Sequence, residues 1–365
     1  MSIELIISLV KANIVLAVLL TNTILLIWFE RKVVAGMQSR VGPDRAGPFG
    51  ILQTLADAIK LLLKEQILPS KADRAMYLLA PLIALVPSFL IFMIIPLGPD
   101  ITVEWQNVLY TIPLVGADLN VGVLYFLALS SIAVYSVVLA GWSSGSKYPL
   151  LGGVRASAQM ISYEAAMGLA LVPVILYSGS LSLVDIVNSQ AGNLSSSIPI
   201  LNTIVSFIPK WNIFPQFVAF GIFFIAAVAE VNRAPFDLVE AEQELVGGFH
   251  TEYSGFRFAM FFLAEYINMF NMCAITATFF LGGWLGPTFE GILPPIFSVI
   301  MPIIWLGVKT FLLLFVFVWI RATLPRLRYD QLMELGWKRM IPLSLVWLIL
   351  SAIVLGLREF GLPWS

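Results

Sequence analysis

Cysteine and histidine are almost missing from this chain of 365 residues, with Cys273 and His250 the single example of each. That scarcity excludes a disulfide framework, a zinc cluster, an iron–sulfur site and bis-histidine haem ligation, so no metal ligands are expected. Any electrons involved must reside on other chains or on a diffusing cofactor. Charge is scarce too: 12% of residues are Asp, Glu, Lys or Arg, against about a quarter in an ordinary soluble protein. The formal net charge of −1 gives no electrostatic handle for nucleic acid, which is not an expected partner. What fills the chain is apolar, with 59% hydrophobic residues and a mean hydropathy of +0.92. No soluble fold hides that much apolar surface, so the lipid bilayer is the expected solvent. The N-terminal apolar run is too long for a cleaved signal peptide, and no small-residue cleavage site follows it.

Runs of roughly 20 apolar residues, the length a spanning helix needs, fall at about 12–29, 76–96, 119–141, 157–177, 214–230, 256–283, 299–320 and 340–357. The expected fold class is all-α: a polytopic protein of about eight transmembrane helices in a single membrane domain over 1–365. Phe49–Ile67 reads differently. Gln53, Asp57, Lys60 and Lys64 share one helical stripe, with leucines and isoleucines around the rest, which predicts an amphipathic helix at about 49–67 in the interface plane. Basic residues set the orientation. Arg31, Lys32, Arg40, Arg45, Lys60, Lys64, Lys71 and Arg74 follow the first span; Lys147 and Arg155 follow the third. Arg233 follows the fifth, with Arg257 just beyond, and Arg321, Arg326, Arg328, Lys338 and Arg339 follow the seventh. The opposite side has only Lys11, Lys210 and Arg358. The odd-to-even connections are therefore expected on the cytoplasmic side and both termini outside.

Ionisable groups inside spans are costly and mark ion pathways by default. Glu164 lies in the fourth span beside Tyr163, Glu265 and Tyr266 in the sixth, and Lys309 midway along the seventh. Glu30 and Arg31 close the first span, and Glu230 closes the fifth. A buried Lys309–glutamate pair would serve helix packing as well as a relay. The connection after Glu230 then crowds Asp237, Glu240, Glu242, Glu244 and Glu252 around Arg233, the one fixed cation of the stretch. Apolar residues interleave these acids and long spans flank them, which favours a loop folded inward against a cavity. Carboxylates gathered there would titrate as a coupled set.

These stretches resemble a known family. Trp28–Lys32, Arg40–Pro43, Gly47–Gly50 and Leu55–Lys60 are similar to the first cytoplasmic signature of the quinone-chamber membrane subunit of respiratory complex I, the H-type membrane component of NADH:quinone oxidoreductase. Gly141–Ser144, Arg155–Gln159, Ser162–Glu164, Arg233–Glu252 and Arg326–Gln331 extend the likeness across nearly the whole chain. The resemblance implies a translocase component with no catalytic redox centre of its own. It places Glu30, Arg31, Arg40, Asp57 and Lys60 at a quinone chamber. It places Glu164, Glu230, Arg233, Glu240, Glu242, Glu244, Glu252, Glu265 and Tyr266 on the path coupling quinone reduction to proton pumping, with Asp237 and Lys309 added to that path.

The substrate implied is ubiquinone or menaquinone. FMN and iron–sulfur clusters are expected on partner subunits only, and the partners are the hydrophilic-arm and other membrane-arm subunits. A bacterial-type cytoplasmic membrane is expected rather than the mitochondrial inner membrane. In one place the chain departs from the resemblance: some relatives carry a glutamate in the third span where this sequence reads Ser130-Ser131. That relay position is therefore absent or filled by hydroxyls and water. The alternatives are the related component of a ferredoxin-linked complex or membrane-bound hydrogenase, and a stand-alone proton or cation transporter.

Overall fold

The computed structural model describes residues 3–105, 108–193, 209–237, 246–286 and 296–360. It is a bundle of mostly apolar helices with one small hairpin, and the helices satisfy their backbone polar groups internally, as lipid requires. Helix α1 is Ile3–Met37, α2 Gln53–Leu63, α3 Arg74–Met93, α4 Gly122–Ser143, α5 Lys147–Ser178 and α6 Leu183–Ser189. Then come α7 Phe217–Glu230, α8 Gly255–Phe280, α9 Ile296–Thr323, α10 Tyr329–Glu334 and α11 Ile341–Phe360. A π-helical turn, Leu335–Met340, joins α10 to α11. Seven of these runs are long and apolar enough to cross a membrane; α7, at 14 residues, is the short eighth. The all-α membrane class therefore stands. The hairpin, β1 Ile101–Trp105 antiparallel to β2 Val108–Ile112 with Ile101 opposite Ile112, is not legible in the sequence.

Loop contacts sort the connections onto two ends of the bundle. At one end the amide of Asp73 bonds Ser143 O, Tyr77 Oη donates to Glu252 O, and the amide of Leu327 bonds Pro235 O. At the other, Leu97 bonds Leu114, Val123 bonds Leu181 and Ile213 bonds Phe280, each through backbone amide and carbonyl. The core between them is built on Tyr163, Phe126, Phe223, Phe279, Phe280 and Phe317, all almost fully buried.

Two departures from the expected spans position the site. Helix α5 begins at Lys147, ten residues before its apolar run, and one side of its first turns, Pro149, Gly152 and Gly153, packs on protein. A Cβ on Gly152 would lie 2.7 Å from Gly248 Cα, so only glycine lets α5 touch the Gly248–His250 turn. Helix α7 is the opposite case. Its 14 residues rise only about 21 Å, less than the roughly 30 Å hydrocarbon core. Gln216, just before its first turn, and Glu230, its last residue, are both buried, and an amide side chain ties each end to a neighbouring element. Gln216 Oε1, before the first turn, accepts from Trp347 Nε1 (2.6 Å) and Ser351 Oγ (3.3 Å) of α11. At the far end Gln159 Nε2 donates to Ala229 O and Phe236 O, both at 2.8 Å. The chain past α7 thus stays inside the bundle, with Glu230, Val231, Arg233, Phe236 and Asp237 all buried.

Helix α2 leaves its apolar side uncovered: Leu52, Leu55, Ile59 and Leu62 are each between 44% and 55% exposed. That suits a helix lying in the interface plane with lipid or a partner against it.

Candidate functional site: a chamber joined to a line of buried carboxylates

Adjacent residues on a helix point about 100° apart, and Glu30 and Arg31 use that divergence. Glu30 turns into the bundle and is 3% exposed, while Arg31 turns outward to α2. There Arg31 Nη1 meets Asp57 Oδ2 at 2.5 Å, and Gln53 Nε2 donates to Asp57 Oδ1 at 2.9 Å. Burial pushes the Asp57 carboxyl up, but the bonds from Arg31 and Gln53 outweigh it and hold it below the usual carboxylate range. Beside this contact lies a cavity of about 650 Å3 lined by Glu30, Arg31, Gln38, Arg40, Tyr266 and Arg321, among others. Arg40 is exposed and donates to Gln38 Oε1. Asp57 joins this group through Arg31, and Lys60 stands exposed one turn further along α2.

The inner wall of the cavity is an ion cluster. Arg233 Nη1 lies 3.1 Å from Glu30 Oε1, and its Nε lies 2.7 Å from Glu265 Oε1. Its guanidinium also sits 4.4 Å from the ring centre of Tyr266. Arg321 binds Glu30 Oε1 from the other side. Burial alone would lower the Arg233 guanidinium, but Glu265 and Glu30 raise it well above its ordinary value, so it is charged at any working pH. One cation thus bridges an acid that lines the cavity and an acid on α8.

A second acid group lies one element further in. Glu230, at the end of α7, is near enough to Glu164 of α5 to feel its charge, and it lines a small cavity together with Ser130 of α4. Ser130 Oγ also lies 3.0 Å from Glu164 Oε1, and Ser131 Oγ donates to the same oxygen. Ser130 therefore faces both carboxylates, through its hydrogen bond to Glu164 and the cavity it shares with Glu230. Between Glu230 and Glu265 is a cavity of about 70 Å3 that Asn268 and His250 also line.

The remaining candidates fall in other places. Asp237 Oδ2 pairs with Arg326 Nη2 at 3.3 Å, at the chamber end. Glu252 is half-buried in the turn before α8, where its carbonyl accepts from Tyr77 Oη at 2.8 Å. Glu240, Glu242 and Glu244 lie outside the described residues. Lys309 does not join the acids. Its ammonium donates to Leu281 O (2.6 Å), Gly283 O (2.9 Å) and Leu285 O (2.5 Å) beyond the end of α8, over the Trp211 ring. Glu265 and Leu281 are 16 residues apart along α8 and its cap, or about 24 Å at 1.5 Å per residue. Lys309 is therefore a clamp at the opposite end, where the carbonyls past Phe280 have no helical partner.

Three participants escape a reading of the sequence. Arg321 reads there as an ordinary basic flank of the seventh span, whereas it binds Glu30 across 291 positions of chain. Gln159 stands out only as a polar neighbour of Glu164, and it caps α7. Asn268 follows Glu265 by three residues, the spacing of one helix face, and that spacing is the available signal. Among the described residues, no three His, Cys, Asp or Glu side chains are grouped to hold a metal.

Sequence comparison matches this architecture to a known family. The profile of the family described as NADH dehydrogenase matches residues 10–352. The chain belongs to that family. A protein of Koribacter versatilis, named as an H-type component of NADH-quinone oxidoreductase, is 47% identical over 362 residues, covering 97% of this chain and 98% of the relative. One named likewise from Syntrophobacter fumaroxidans is 51% identical, with 92% of each chain covered. The corresponding NADH-quinone oxidoreductase component of Ralstonia nicotianae is 50% identical over 95% of this chain and 91% of the relative.

Proposed function

We propose that this chain is the H-type membrane component of a proton-translocating NADH:quinone oxidoreductase, forming part of the quinone chamber and the carboxylate path that couples quinone reduction to proton pumping. The observation that carries this reading is Arg233, held between Glu30 on the chamber wall and Glu265 on the path. The 650 Å3 cavity is of the size that takes a small-molecule headgroup, and its lining of Arg31, Arg40 and Arg321 suits the negative charge that a quinone gains on reduction. Glu30, Arg31, Arg40, Asp57 and Lys60 are the chamber residues. Glu164, Glu230, Arg233, Asp237, Glu252, Glu265 and Tyr266 are the coupling residues, with the loop acids Glu240, Glu242 and Glu244 completing the set. Lys309 drops out of the proton path and becomes a structural clamp.

The chain carries no redox centre for this chemistry. Flavin and iron–sulfur clusters sit on partner subunits, and the chamber end meets the hydrophilic arm on the cytoplasmic side of a bacterial membrane, with both termini outside. Reducing the quinone, ubiquinone or menaquinone, consumes two protons, and the charge left behind acts on Arg233 and its two acids.

The test uses the assembled complex in vesicles. Glu164→Gln and Glu230→Gln are expected to lower quinone-driven proton translocation by about a hundredfold, the scale of a lost proton-transfer group. A variant that assembles and keeps full coupled turnover overturns the assigned path.

A further inference from the structure

Between the two acid groups just described the structure places a buried hydroxyl and two small cavities. On one side, the Ser130 hydroxyl lies 3.0 Å from Glu164 Oε1 and 2.9 Å from Leu127 O, and it lines a small cavity together with Glu230. It is 2% exposed, so no bulk water competes for it. On the other side, two cavities meet at Glu230 and Asn268. The smaller, about 10 Å3, is also lined by Ser130. The larger, about 70 Å3, is also lined by Glu265. Glu230 Oε2 and Asn268 Oδ1 are buried polar atoms with no hydrogen bond among the described residues.

A void needs about 10–15 Å3 on this measure to hold one water, and that water needs two to four polar partners. The smaller cavity meets the volume requirement for a single water, with Ser130, Glu230 and Asn268 as partners. The larger has room for a few. Leaving two buried polar atoms unsatisfied would cost about 1–3 kcal/mol each, and water bonded at both removes that cost.

We infer that Ser130 carries the proton between Glu230 and Glu164 through its hydroxyl, and that Asn268 positions the water joining Glu230 to Glu265. This rests on the proton-coupling reading above and adds two residues to it. The step balances as one concerted transfer. The carboxyl O–H of Glu230 breaks as a bond forms to Ser130 Oγ, while the original Ser130 O–H breaks and its proton bonds to Glu164 Oε1. Two protons each shift by one bond for a net transfer of one, no electrons move, and rotation of the hydroxyl restores the start. Such a link requires a group that both donates and accepts, which a hydroxyl does. Both serines bond Leu127 O and the same Glu164 oxygen, but Ser131 is exposed on α4 and lines neither cavity, so it holds Glu164 in place.

The decisive pair is Ser130→Thr and Ser130→Val in the complete complex reconstituted in vesicles. Both add the same branching at Cβ and differ in one hydroxyl against one methyl. Proton translocation per quinone reduced is the readout, with Glu164→Gln alongside. The threonine variant is expected within about twofold of the parent and the valine variant lower by about tenfold or more, a modest share of what a positioned proton-transfer group supplies. Asn268→Leu, close in shape but without polar atoms, should fall likewise and gain a larger solvent deuterium isotope effect, which a merely structural role would not produce. Valine pumping as well as threonine, while Glu164→Gln fails, overturns this inference and leaves the functional reading intact. Full pumping by Glu164→Gln overturns both. Should neither β-branched variant assemble, Ser130→Ala decides: full translocation by that variant overturns the hydroxyl bridge, and its loss supports it.

Discussion

Replacing Lys309 by methionine nearly keeps the length of the side chain and removes the ammonium. In the structure that ammonium donates to the carbonyls of Leu281, Gly283 and Leu285 and lies 4.3 Å from the centre of the Trp211 ring. A hydrogen bond to a charged group contributes about 1.5–3 kcal/mol net, and a carbonyl left buried and unpaired costs about 1–3 kcal/mol. Leu281 is only half-buried, so water recovers part of the loss at its carbonyl, whereas Gly283 is buried. The three bonds share one donor and are not additive. Together these give a destabilisation of about 3 kcal/mol for Lys309→Met, confined to the end of α8 remote from Glu265. The thermal inactivation rate of the purified complex reads that loss directly, and the proton-to-electron ratio in vesicles should not change. Loss of proton translocation at unchanged thermal stability would refute the clamp and return Lys309 to the proton path.

Three further outcomes follow from the same contacts. Arg233→Leu strands Glu30 and Glu265 as buried, less compensated acids, at about 3–5 kcal/mol for a broken buried pair; assembly yield should fall sharply, and adding Glu265→Gln should recover part of it. Gly152→Ala drives a Cβ to 2.7 Å from Gly248 Cα, an overpacking cost of about 1–3 kcal/mol that lowers the melting temperature of the complex without altering its proton-to-electron ratio. The Arg31–Asp57 contact depends on a carboxyl held below its ordinary value; its contribution is present above the usual pKa of about 4 and is lost as pH falls through the lowered one. A cysteine substituted for Thr54, which is buried on α2, should therefore react slowly with a thiol reagent from neutral pH down to the carboxylate range. Its reactivity, corrected for the thiolate fraction, should rise only below that range.

The fold is legible where burial and composition coincide. Apolar runs in a chain with so little charge leave the helical membrane class as the economical solution, and the costly acids Glu30, Glu164, Glu230 and Glu265 stand out for the same reason. Side-chain partners are legible only at helical spacing, as for Gln53 and Asp57. What escapes depends on atoms without a sequence signature. Lys309 reads as a relay member because its true partners are backbone carbonyls, which every residue has. Arg321 finds Glu30 only once α1 and α9 pack together. The shortness of α7 is hidden because the residues before Phe217, which include Ile213 and Phe214, continue the apolar run while forming turns. The β1–β2 hairpin escapes because strands of five residues carry too little periodicity to compete with an apolar background.

The buried cluster around Arg233 is hard to explain as a stabilising device. Apolar side chains of similar volume often hold helices together as well as a buried ion pair or better, because they avoid the desolvation of the charges. Tyr266, Ile267 and Phe262 already supply apolar contact along α8. What charge adds is response at a distance. A unit charge appearing about 8 Å away, at an effective dielectric constant near 20, changes the energy of a fixed charge by roughly 2 kcal/mol, about thirtyfold in an equilibrium. Salt screens this little, since Arg233 and Glu30 each expose 5% or less of their side chains. On the proposed reading, a charge that forms in the cavity beside Glu30 is therefore felt by Arg233 at close to full strength, and Arg233 holds Glu265 with the same guanidinium. An apolar cluster would anchor these helices and transmit nothing. The ionic one trades some stability for a cavity wall whose far side registers what happens on its near side.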